Sequence, residues 1–123
     1  MKDKKVLLIG SKEDSWDNLS KEMEKLGYKV LKVADGFDSY RIVEKEIPAL
    51  IIIEVVPPKI VGFSICKLVK LRPMLSHIPV IIVVSSVDAN LENLAAKSEA
   101  NAIIPMKDEP SEMLDEIRKH AGV

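Results

Sequence analysis

Glu54 is the only charged residue between Pro48 and Lys59, and its neighbours are Ile53 and Val55. A carboxylate inside so apolar a run needs a partner or a raised pKa. That marks Glu54 as a candidate site residue at the carboxyl end of a strand; the alternative is a side chain that escapes to solvent at the rim. The loop Gly10-Ser11-Lys12-Glu13-Asp14 has the polarity of an anion site at a helix N-terminus. It holds one glycine and fits neither GxGxxG nor GxxxxGK[ST], so the favoured reading is a polar turn that caps the first helix through Asp14 or Ser15. Ser85 and Ser86 have no evident activating base. His77 lies in a loop, His120 near the last helix end, and Cys66 sits among apolar residues as a small core side chain. One Cys and two separated His give no metal-ligand spacing and no internal disulfide.

The elements that must position these residues follow from the hydrophobic period. Val6, Leu7, Leu8 and Ile9 form a short apolar run, as in a buried parallel strand. Trp16, Leu19, Met23 and Leu26 then recur at helical spacing, and Gly27 stands where a left-handed C-cap belongs. Val30, Leu31 and Val33 predict a second strand. Tyr40, Val43 and Ile47 predict a second helix closed by Pro48. Residues 49–56 predict a third strand, stopped by Pro57 and Pro58. Ile65, Cys66, Leu68 and Val69 predict a third helix ending near Arg72. Residues 79–84 predict a fourth strand. Asp88 is the expected N-cap of a fourth helix through Leu91, Leu94 and Ala95. Residues 102–104 predict a fifth strand, and Ser111 is the expected cap of a last helix that turns Met113, Leu114 and Ile117 inward. Five βα units predict an α/β fold: a doubly wound (βα)5 three-layer sandwich with a five-stranded parallel sheet. Chemistry in such a fold belongs at the carboxyl ends of the strands.

The chain has 123 residues, 47% hydrophobic and 30% charged, with 18 Lys+Arg against 19 Asp+Glu. That size fits one domain over residues 1–123. The net charge of −1 excludes a nucleic-acid binder driven by bulk charge. No apolar run is long enough to span a bilayer, and the N-terminus shows no signal-peptide pattern, so a cytoplasmic location is expected. The charge is sorted along the chain. Residues 1–54 carry 10 basic and 11 acidic side chains; residues 55–87 carry Lys59, Lys67, Lys70 and Arg72 with no acid; residues 88–123 carry 4 basic and 8 acidic. Such sorting usually decorates solvated faces.

At residues 48–58 (PALIIIEVVPP), with Gly62 and Phe63, the chain resembles a response-regulator receiver domain of the CheY-like, flavodoxin-like class. In that family a phospho-accepting Asp ends the third strand, with a Pro four residues on and a Gly eight residues on. Pro58 and Gly62 stand at those offsets from Glu54. The resemblance extends from Lys5 to about His120 through Leu26-Gly27-Tyr28, Asp35-Gly36, Ile78-Pro79-Val80 and Glu99-Ala100-Asn101-Ala102.

The resemblance also says which positions have changed. The family's acidic Mg²⁺-binding pair falls on Gly10 and Ser11, and the phosphoacceptor falls on Glu54. Its phosphate-binding hydroxyl falls on Val84, its lysine on Met106 and its aromatic switch residue on Ile103. A one-residue slip would bring Ser85 and Lys107 into those places, but the offsets from Glu54 fit without a gap. Mg²⁺ needs hard, charged oxygen ligands, and phosphoryl transfer needs charge neutralisation. The expectation is therefore a pseudo-receiver in two-component signalling, not an enzyme and without a cofactor. It would act by contact with a protein partner (a kinase, an output domain or an effector), not with nucleic acid or a membrane. Glu54 would carry a fixed charge paired with Lys12 or Lys107. The alternative is a divergent receiver that still accepts a phosphoryl group. The family's habits also make the fourth helix, fifth strand and fifth helix a candidate homodimer face.

Overall fold

A computed structural model describes residues 4–10, 14–34, 36 and 38–122. Among the described residues strand and helix alternate along the chain. The strands are β1 (Lys5–Ile9), β2 (Lys29–Val33), β3 (Leu50–Glu54), β4 (Val80–Val84) and β5 (Ala102–Pro105). The helices are α1 (Asp14–Lys25), α2 (Asp38–Glu46), α3 (Val61–Leu71), α4 (Ala89–Lys97) and α5 (Pro110–Ala121). All strand pairs are parallel, in the order β2-β1-β3-β4-β5. The chain leaves β1 toward β2 and returns to β3, so the topological switch point, where such folds open a crevice, lies between the carboxyl ends of β1 and β3. Gly10 follows β1 and Glu54 ends β3.

The alternation of side chains along each strand divides the core into two layers. Ile51, Ile53, Val80, Ile82 and Val84 pack toward α2, α3 and α4 with Val43, Ile65, Cys66 and Val69. Leu50, Ile52, Ile81 and Val83 pack toward α1 and α5 with Trp16, Leu19, Met23, Met113 and Ile117. The three central strands are apolar on both faces because both faces are covered. Gly62, in the first turn of α3, lets that helix rest on β3: a Cβ there would come 2.6 Å from Ile53 Cγ2 and 2.9 Å from Val55 Cγ2.

The expected Asp88 cap is present, with Asp88 Oδ1 accepting the Leu91 N–H at 2.8 Å. Gly27 adopts φ +94°, the left-handed stop expected after the first helix. Four readings of the periodicity need correction. Leu26 and Ile47 lie just beyond α1 and α2 and are half exposed, at 50% and 49%. Leu68 faces outward from α3 while Cys66 takes the buried position. Ser111 is not the cap of α5: Glu109 occupies that place without a side-chain bond, and Pro110 opens the helix, where its fixed φ suits the first turn.

Candidate functional site

The site at the switch point is built from two backbones that approach closely. β1 and β3 are paired in register up to Ile9 and Ile53, so the next residue on each strand, Gly10 and Glu54, emerges side by side. Gly10 has φ +135° and donates its N–H to Val33 O at 3.0 Å. A Cβ on Gly10 would lie 2.8 Å from Glu54 Cβ, 3.3 Å from Glu54 Oε1 and 3.4 Å from Glu54 O. Glycine is therefore required twice, once by the backbone angle and once by the space that Glu54 fills. Glu54 itself is half-buried at the strand end and does not stand as an isolated charge.

The other positions marked by the resemblance are apolar as built. Val84 is 1% exposed and turned into the α2–α4 layer, and its carbonyl accepts the Met106 N–H at 2.7 Å. Ser85 follows it in an exposed bend. Ile103 is half-buried against the α2–α4 layer, and Met106 is half-buried against the α1–α5 layer. Lys107 contributes its backbone, whose N–H donates to Met113 Sδ at 3.4 Å, and its ammonium makes no ion pair among the described residues. Ser11 and Lys12 lie outside the described residues.

A divalent cation at this place would need carboxylate ligands from the end of β1. Gly10 supplies none, and its geometry leaves no room for a side chain that would. Among the described residues no cluster of three or more His, Cys, Asp or Glu forms a cation cage. The residues present at Gly10 thus do not fit the acidic ligand set that the fold class implies.

Charge elsewhere is organised into pairs between elements. Lys32 on β2 binds Asp17 on α1, Lys5 binds Glu46 at 3.1 Å, Lys67 binds Glu99 at 2.8 Å, and Arg72 binds Glu44. The hydrogen bond from each lysine, followed by its charge, holds Asp17, Glu46 and Glu99 below the usual carboxylate range. Burial pushes the Cys66 thiol up; its Sγ donates to Ser98 O at 3.4 Å, an inert core cysteine as expected.

The comparisons with known proteins agree with this architecture. The family model for the response regulator receiver domain matches residues 6–118. The alkaline phosphatase synthesis transcriptional regulatory protein PhoP of Bacillus subtilis is 34% identical over 64 residues, which are 52% of this chain and 27% of that protein. Histidine kinase P4 of Formosa agariphila is 30% identical over 84 residues, 68% of this chain and 6% of that protein. The chain thus matches well under half the length of these two curated relatives. The chemotaxis protein CheY4 of Vibrio cholerae has the same fold, with a TM-score of 0.84 at 19% identity, covering 97% of this chain and 99% of that one. The chain belongs to the response-regulator receiver family of two-component signalling.

Proposed function

We propose that this receiver domain signals by protein contact, without phosphorylation at Glu54 and without Mg²⁺. The single observation that carries the reading is the Gly10–Glu54 contact. The place of the first metal-binding acid is held by a glycine whose angle and surroundings admit no side chain. The apolar side chains of Val84 and Met106 support it, since neither binds a phosphoryl oxygen or neutralises its charge. Phosphoryl transfer depends on that positioning and neutralisation more than on covalent chemistry by the protein.

In this reading Glu54 is a permanent negative charge whose carboxylate stands one methylene farther out than an aspartate, toward where a phosphoryl oxygen would sit. Lys12 is its proposed cationic partner, while the Lys107 ammonium makes no ion pair with it. The attraction at a half-buried site is on the order of a few kcal/mol before desolvation, and desolvation offsets much of it. With Val84 and Ile103 at the switch positions, the α4-β5-α5 face holds one conformation, available to a kinase, an output domain, an effector or a second copy. Residues 1–123 act as one cytoplasmic receiver unit; among the described residues no helix is long and apolar enough to cross a membrane.

The test is incubation with acetyl phosphate and Mg²⁺ followed by intact-mass measurement. The reading expects no mass gain. A gain of one phosphoryl group that is lost in Glu54→Gln or in Ser85→Ala identifies a divergent receiver that still accepts phosphate.

A further inference from the structure

α4 ends in a turn that its own backbone closes. The Glu99 N–H donates to Ala96 O and the Ala100 N–H to Ala95 O, both at 3.1 Å. Such a turn needs one residue in the left-handed region, and glycine is its usual occupant. Here the residue is Glu99, with φ +63°. A side chain is penalised in that conformation, so closing the helix does not by itself account for a glutamate.

The Glu99 side chain reaches across to α3, where its Oε2 accepts from Lys67 Nζ at 2.8 Å. The residue before Lys67 is Cys66, whose Sγ donates to Ser98 O at 3.4 Å. Two neighbours on α3 thus hold two neighbours at the end of α4, one through a buried thiol and one through an exposed ion pair. Past that end, Asn101 is fixed to the start of β4: its Oδ1 accepts the Val80 N–H and its own N–H donates to Val80 O, both at 2.9 Å. The helix itself is lightly held, since Leu91 and Ala95 are the buried residues among its nine. Lys70 also attracts Glu99, but less strongly than Lys67, and it donates to the Ser76 and Ile78 carbonyls.

We infer that Lys67 and Glu99 form a charge latch that holds the C-terminal end of α4 on α3, so that the seating of α4 follows ionic strength and not events at Glu54. The two side chains are 42% and 58% exposed, which leaves their attraction open to screening by salt. A small change in that attraction matters here because so little of α4 is buried. What the latch serves rests on the contact role proposed above for the α4-β5-α5 face; its closure does not.

Hydrogen exchange of the last-turn amides of α4, residues 95–98, read against the amides of β4 in the same sample, measures how often that end opens. Glu99→Gln keeps the backbone strain and removes the charge; Lys67→Met keeps most of the stem. Each is expected to raise the opening about two- to fivefold, as loss of an exposed pair would. The double variant should open no more than either single variant, and the charge swap Lys67→Glu, Glu99→Lys should restore closure. NaCl at about 1 M, where the screening length is about 3 Å, should raise the opening of the unaltered chain by the same factor and leave the double variant unchanged. Glu54→Gln should leave these amides as they are. Unchanged exchange in either single variant, additive effects of the two, or a salt response that survives in the double variant overturns the latch. A rise in Glu54→Gln overturns it too, by tying α4 to the end of the sheet. Uptake of a phosphoryl group at Glu54 that leaves these amides unchanged would overturn the proposed function and support the latch.

Discussion

Replacing Gly10 by alanine tests the geometry at the switch point. The backbone angle of +135° is outside the range that a side chain tolerates, and holding alanine there costs about 1–3 kcal/mol. The new Cβ would meet Glu54 Cβ at 2.8 Å, an overpacking cost of about 1–3 kcal/mol. Together these predict a loss of about 2–6 kcal/mol, a large share of the roughly 5–15 kcal/mol that holds a domain folded. In urea, with a slope of about 1–3 kcal/mol per molar, the midpoint should fall by roughly 1 M or more while the slope stays constant. Gly27→Ala is the control. Gly27 has φ +94° but nothing within 4 Å of its would-be Cβ, so it pays the angle alone. Gly10→Ala should exceed Gly27→Ala by about 1–3 kcal/mol, the cost of the contact. Adding Glu54→Gly to Gly10→Ala should recover that excess, seen as coupling in a double-mutant cycle. If Gly10→Ala costs no more than Gly27→Ala, the backbone turns freely at residue 10 and the steric reasoning is refuted.

Three further outcomes follow from the structure. Asp88→Ala removes the side-chain acceptor of the Leu91 N–H and should cost about 1 kcal/mol by urea unfolding, with Asp88→Asn close to wild type. Trp16 is 2% exposed, and its Nε1–H has no partner among the described residues; Trp16→Phe should cost within about 1 kcal/mol, because the lost packing is offset by removal of an unsatisfied donor, and a loss near 3 kcal/mol would reveal a bonded indole. Asp17, Glu46 and Glu99 titrate below their unfolded values, so their stabilisation is present above the unfolded pKa near 4 and is lost as pH falls through the lower folded values. Carboxyl ¹³C titration should show Glu99 returning toward the ordinary range in Lys67→Met, and an unchanged midpoint would remove Lys67 as the cause.

The fold was legible in the sequence because the central strands are apolar on both faces, and runs such as residues 80–84 admit few other readings. Glu54 was legible as a lone charge in one of those runs. The ends of helices were less so. Periodicity extends the buried face through Leu26 and Ile47, but it cannot show that a helix has already stopped there. Leu68 cannot be placed from the sequence because helical spacing gives two apolar stripes on α3, and only packing against β3 through Gly62 decides which one is buried. The contact between Gly10 and Glu54 was not legible at all. Sequence reads Gly10 as a missing ligand, whereas strand pairing brings it against a residue 44 positions away (54 − 10) and shows that the place is filled. The pairing of Lys67 with Glu99 and of Arg72 with Glu44 is likewise not legible, since it joins residues far apart in the sequence.

The end of the sheet around Glu54 is proposed to work without metal or phosphoryl group. The most direct test is an NMR titration of the ¹⁵N-labelled chain with Mg²⁺ and then with beryllofluoride, following the amides of Gly10, Glu54, Val55, Val84 and Met106. No saturable shift is expected at those residues up to millimolar Mg²⁺, with or without beryllofluoride. Saturable shifts centred on Glu54 that disappear in Glu54→Gln would contradict it.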